Sequence, residues 1–305
     1  MRKLRQLWTL AALTAAETLR QPVCPLLTMS CVVLTILVPL TTAHNFGEEG
    51  RLARDSGLAF HLMFGLFLGG YAACAALTRE RESGTAAAVL SKPVDRSVFF
   101  AAKFLGITGV VLVFSTSATL ATLLAQRVAL KYASDTGHLL DGLTAGLAMG
   151  SPVIACGVGA WANFRHRRAF QSTAMATLPL LLAVVAVGCG CFTRAGGWAP
   201  YHPQLQWQIV PASLLVAMGL AMLGAIALTL AVRLSLVPTV STCFVILLLG
   251  LASDYVFGQS AGHAPLANLL YALTPNWQHF WVADAIAGGG VGSGTYMLRC
   301  ALYAF

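Results

Sequence analysis

The sequence predicts an all-α, polytopic membrane protein with seven full transmembrane helices, a partial eighth, and its amino terminus in the cytoplasm. Three observations carry that expectation. Apolar residues make up 57% of the 305-residue chain, charged residues only 10%, and mean hydropathy is +0.75. A soluble domain carries about 25% charged residues, so polar groups here are too few to cover a surface facing water. The apolar residues fall into runs of spanning length, about 20 residues each. Finally, Lys and Arg crowd into alternate connections, as cytoplasmic loops do.

The first element is "MRKLRQLWTLAALTAAETLRQP", residues 1–22. A basic start and an apolar middle allow a secretory signal, but Thr9, Thr14, Glu17 and Arg20 interrupt the run and a full span follows at once. An interfacial helix on the inner membrane face, feeding the first span through Pro22, fits better. The second unit, 23–305, is the membrane domain. Its predicted spans are Val23–Thr41, Gly57–Leu77, Phe104–Gln126, Gly142–Phe164, Ala169–Phe192, Ala212–Val232 and Leu236–Phe257. An eighth run begins near Tyr296 and stops at Phe305, short of the length a span needs.

With the amino terminus inside, the inner segments hold thirteen of the 19 Lys and Arg residues and the outer segments five, with Arg299 in the last run left aside. The stretch from Gln259 to Thr295 has neither Lys nor Arg, as suits an outer segment at 259–295. The net charge of +8 is thereby spent on topology and is no nucleic-acid footprint. The eight cysteines lie almost wholly inside apolar runs and read as small buried residues, not as a disulfide framework.

One polar interruption stands out: "RERESGTAAAVLSKPVDRSVFFAAKFLG", residues 79–106. It lies within the cytoplasmic loop at 78–103, between the second and third spans. Ser83 or Thr85 can cap a short helix, and Gly84 lets the chain turn off the second span. Thr85–Ser91 is helix-permissive for about two turns, roughly 10 Å. Pro93 stops it, and Asp95 offers an N-cap to a second helix running from Arg96 through Phe99 and Phe100 into the third span.

This string resembles the signature loop of ABC-2 type transporter permeases, and most closely the subgroup similar to copper-maturation and gliding-motility permeases. The acidic residues Glu80 and Glu82, the Gly84-Thr85 pair, Leu90-Ser91, Pro93, Arg96, and Lys103 ahead of Gly106 each have a counterpart in that pattern. A second stretch, "YALTPNWQHFWVADAI" (Tyr271–Ile286), resembles a Pro-Asn and aromatic segment late in the same subgroup. The resemblance implies that the loop carries a coupling helix docking into a separate cytosolic ATP-binding cassette ATPase subunit. Its contact residues would be Glu80, Glu82, Gly84, Thr85, Leu90, Pro93, Arg96 and Lys103. Ala86–Ala88 would let the partner approach closely, Val89 and Leu90 would fill a pocket, and the alternating charges at 79–82 would fix register. It further implies export, residence in a bacterial inner membrane, and a second permease copy or a related permease to complete a dimer. Permeases of this type end in a full last span and a basic tail, and the chain departs from that pattern at "YMLRCALYAF".

No G-x-x-x-x-G-K-[ST] phosphate loop and no H-E-x-x-H pair occurs, so the chain is expected to be no enzyme and to need no cofactor. A different class of function, a non-transporting membrane anchor or assembly factor for a cytosolic partner, needs the same docking loop. The remaining features read as structural. Cys189 and Cys191 point to different faces of a helix and make a poor metal pair. Arg165–Arg168 is a topological anchor before it is a lipid-headgroup contact. Asp254 and His61, near the outer ends of their spans, are expected to reach water. Trp277, Phe280 and Trp281 are expected at the headgroup level, with Pro275 and Asn276 opening a short re-entrant or interfacial helix.

Overall fold

The computed structural model describes residues 2–41, 48–82, 95–129, 141–192, 197–198, 200–202, 204–256, 268–269, 271, 274–282 and 294–304. Ten α-helices are considered below: α1 (Arg2–Leu19), α2 (Val23–Thr41), α3 (Glu49–Glu82), α4 (Arg96–Ala129), α5 (Gly142–His166), α6 (Phe170–Gly188), α7 (Ile209–Ala231), α8 (Leu236–Leu251), α9 (Ser253–Val256) and α10 (Gly294–Ala304). Short 3-10 turns add Cys189–Cys191 and Trp277–Phe280. The described residues contain no β-sheet, only an isolated bridge between Phe192 and Trp198.

Six helices, α2 to α7, are long and apolar enough to cross a bilayer. Backbone groups inside lipid must be satisfied within the chain, which is why helices carry every apolar run. Hydroxyls follow the same rule: Thr28, Thr35 and Thr122 each donate to the carbonyl four residues back, at 2.8–2.9 Å. Pro25 sits in the first turn of α2, where no donor is needed.

The seventh predicted span differs. Leu236–Phe257 was expected as one helix, but α8 covers only 16 residues and breaks at Ala252 before the four-residue α9. Another segment packs into the end of α8. Trp277 Nε1 donates to the Ile246 carbonyl at 3.1 Å and Gln278 Nε2 to the Leu251 carbonyl at 2.9 Å. These side chains take carbonyls near the end of α8, and Gly250 is the residue that lets Pro275 and the Trp277 ring come so close.

α4 is the hub. It packs against α1, α2, α3, α5, α6 and α7 and belongs to both hydrophobic clusters. One cluster joins α3, α4, α7 and α8 around Phe114, Leu220, Leu247 and Phe280. The other joins α2, α4, α5 and α6 around Ile36, Leu124, Leu178 and Leu182. Gly57 faces Thr122, Gly65 faces Phe114 and Gly69 faces Val111, an antiparallel register in which α3 descends as α4 rises. Gly65 also meets Leu220 and Gly224 meets Ile107, so α7 runs antiparallel to α4 and parallel to α3.

α1 lies against the start of α4 with Ala11, Thr14 and Thr18 buried, while Leu4 and Trp8 are 65% and 62% exposed. The chain leaves α1 through a turn at Gln21, whose N–H donates to the Thr18 carbonyl, and α2 begins directly after Pro22.

Candidate functional site: the face carrying α1

The end of α3 and the start of α4 both lie on the face of the bundle that carries α1. α3 and α4 have 34 residues each, about 51 Å of helix, well beyond a hydrocarbon core of about 30 Å. The apolar part of α3 ends at Thr78, so its last turn, holding Glu80 and Glu82, extends past the span.

α4 opens as its sequence predicts. The Asp95 carbonyl accepts the N–H of Phe99 at 3.1 Å, making Asp95 the residue just outside the helix. The Asp95 carboxylate also meets Lys3 Nζ of α1 at 2.7 Å, and that hydrogen-bonded negative charge raises the Lys3 pKa. Arg96 is exposed on the first turn. Phe99 and Phe100 meet edge to face at 5.6 Å. Lys103 is buried, with its ammonium 5.6 Å from the centre of the Phe99 ring, an attraction of the cation–π kind. One turn further on, α1 crosses α4 so closely that a Cβ at Gly106 would stand 2.7 Å from the Ala11 carbonyl oxygen and 2.7 Å from Thr14 Cβ.

The predicted contact residues thus fall into three groups. Arg96 opens α4 and Lys103 lies about two turns further on, the first exposed and the second buried. Glu80 and Glu82 are in the last turn of α3. Gly84, Thr85, Leu90 and Pro93 lie outside the described residues, as does the whole Thr85–Ser91 stretch.

The opposite face holds features that sequence reasoning missed. Arg127, at the end of α4, pairs through Nε with Asp141 at 3.0 Å, and both side chains are buried. Arg127 Nη2 donates to the Phe192 carbonyl at 3.2 Å. Asp141 caps α5, accepting from Thr144 N–H at 3.0 Å and from Thr144 Oγ1 at 2.7 Å. An Asp three residues ahead of a Thr at the start of an apolar run is the signal that exposes this cap. Its partner across the 130–140 segment carries no sequence signal. Between α3 and α4, His61 is fully buried, contrary to the expectation that it reaches water; its Nε2 lies 2.8 Å from Ser115 Oγ and its ring 5.5 Å from that of Phe114.

Trp277 and Phe280 are buried against the helices. They are 3% and 4% exposed and pack into the α3–α7–α8 core. Asn276 does open a short turn, its side chain accepting from Gln278 N–H at 2.9 Å, and Asp254 Oδ1 accepts from Asn276 Nδ2 and Tyr271 OH, both at 2.8 Å. Cys189 is buried with its thiol on the Ala186 carbonyl, and no three metal-ligating side chains gather among the described residues.

A family described as ABC-2 family transporter protein matches residues 38–209, more than half of the chain. The chain belongs to that family. The matched part of this ABC-2 protein runs from the end of α2 into the first residue of α7 and takes in the whole 79–106 interruption. The 271–286 stretch falls beyond it. No curated protein and no solved structure matches the chain.

Proposed function

We propose that the chain is the membrane-spanning permease subunit of an ATP-binding cassette transporter, moving its substrate with energy from ATP hydrolysed on a separate subunit. The observation that carries this reading is the match to the ABC-2 transporter family across the two long helices and the polar connection between them. The loop at 78–103 serves as coupling element, and its contact residues are Glu80, Glu82, Gly84, Thr85, Leu90, Pro93 and Arg96. Lys103, turned inward onto Phe99, holds the start of α4 in place beneath them. The permease has no ATPase activity of its own and no cofactor.

The finer reading follows the same line. The face with α1 is cytoplasmic, residues 1–22 form the interfacial helix, and α8 with α9 makes a seventh crossing ahead of a partial eighth. The protein sits in a bacterial inner membrane, pairs with a second copy or a related permease, and exports its cargo. The subgroup is the one similar to copper-maturation and gliding-motility permeases. A helix joined at both ends to rigid spans is a lever, and an ATPase that closes on nucleotide needs one to push.

Affinity purification of the full chain from its own cells should bring down a phosphate-loop ATPase. Gly84→Asp or Leu90→Asp should abolish that capture while the permease still reaches the membrane. Full retention of the ATPase by both variants, or no ATPase with the unaltered chain, overturns the assignment.

A further inference from the structure

The half of the α3–α4–α7 seam away from α1 is built differently from the half near it. Near α1 the contacts are apolar: Gly69 against Val111, and Ile107 against Gly224. Past Phe114 and Leu220 the same faces turn polar. Along α3 come His61 and then Arg54, on the side that Gly57 presents to Thr122. Along α4 come Ser115, Thr122 and Gln126. Ser213 lies seven residues before Leu220 on α7, on the face that meets Gly65.

Within this half, four side-chain atoms are buried without a hydrogen-bond partner: Arg54 Nη2, His61 Nδ1, Gln126 Oε1 and Ser213 Oγ. The rest of the described residues contribute only Thr108 and Thr239. Arg54 engages Asp55 through Nε at 2.9 Å, and its buried Nη2 has no partner. A buried polar atom without a partner is costly to keep, and lipid offers it nothing in exchange. Apolar side chains of similar shape would hold the seam shut at lower cost. Polar ones are favoured where they meet water or a polar ligand.

We infer that this half of the seam is a shut polar crevice, which parts between α3, α4 and α7 while the apolar half near α1 stays closed and serves as its hinge. Opening gives water access to the column from Gln126 to Ser115, eleven residues of helix or about 16 Å, and ends at His61. The exposed groups, a guanidinium, an imidazole, hydroxyls and a carboxamide, suit a small hydrogen-bonding solute and not an acyl chain. The inference needs only the bundle itself and stands apart from the ATPase assignment.

Accessibility to a water-soluble thiol reagent tests it. Ser213→Cys and Gln126→Cys are introduced separately into the full chain with its eight native cysteines replaced by alanine, and Val111→Cys serves as reference. Permeabilised membranes receive a charged methanethiosulfonate. Cys at 213 and 126 should react at least about tenfold faster than at 111, as sites in a locally opening segment do. Adding Gln126→Leu to the Ser213→Cys chain should slow its labelling, because the apolar side chain favours the shut state. Equal rates at all three positions, whether slow or fast, overturn the proposal, as does labelling unchanged by Gln126→Leu. Should the alanine background not accumulate, the same comparison in the native chain, less its own background labelling, decides in the same way.

Discussion

Replacing Asp141 by alanine removes two things at once. It deletes the cap of α5, whose carboxylate holds Thr144 N–H and Oγ1, a loss of about 1 kcal/mol. It also takes the carboxylate from Arg127, whose side chain is 2% exposed; breaking a buried pair from one side costs about 3–5 kcal/mol. The total is about 4–6 kcal/mol. Asp141→Asn keeps an oxygen for the Thr144 N–H and loses mainly the charge pairing, so it should fall between wild type and Asp141→Ala. The double variant Arg127→Met, Asp141→Ala should recover much of the loss, because no lone charge remains buried. Equilibrium unfolding of the purified protein in mixed micelles, titrated with SDS and read by far-UV circular dichroism, gives the free energies. A loss below about 1 kcal/mol for Asp141→Ala, the value of an exposed pair, would refute the reasoning, as would strict additivity in the double variant.

Three further outcomes follow from close contacts. Gly106→Val should push α1 off α4, since its Cβ has no room against Ala11 and Thr14; overpacking of this kind costs about 1–3 kcal/mol, and hydrogen exchange should rise across α1 while α5 and α6 keep theirs. Gly250→Ala should expel Pro275 and Trp277 from α8, detected as quenching of a lone Trp277 by aqueous acrylamide when the other five tryptophans are changed to phenylalanine. Lys3→Ala should leave thermal stability unchanged, because Lys3 and Asp95 are both exposed and solvent screens such pairs. The raised Lys3 value keeps the ammonium charged to higher pH, so on the alkaline side the pair is lost as pH climbs past that value.

The helices that spell themselves out in sequence are those whose determinants are local. Val23–Thr41 is copied from sequence to structure without change because an unbroken apolar run and a preceding Pro22 define it. The start of α4 at Arg96 was readable from Pro93 and Asp95 for the same reason. α3 and α4 overrun the predicted spans because charged residues such as Arg51, Arg54 and Arg127 lower hydropathy while still favouring helix. What composition hides is pairing between distant segments. The break of α8 depends on Trp277, the burial of Arg127 on Asp141, and the seating of α1 on Gly106. The packing of Trp277 and Phe280 against the helices carries no local signal, because it depends on the close approach that Gly219 and Gly250 allow. Of the proposed contact residues, those on helix termini were placed, while the central ones stay tied to the family pattern.

The plug that Trp277 and Gln278 drive into α8 has a bearing on biosynthesis. Ile246 and Leu251 leave the ribosome before the side chains that will occupy their carbonyls exist. Until Trp277 and Gln278 emerge, the end of α8 lacks their side-chain donors and the space beside Gly250 lacks its occupant. Maturation of the early helices then waits on the late ones, so a ribosome stalled short of Trp277 should release a chain that quality-control proteases recognise at α8.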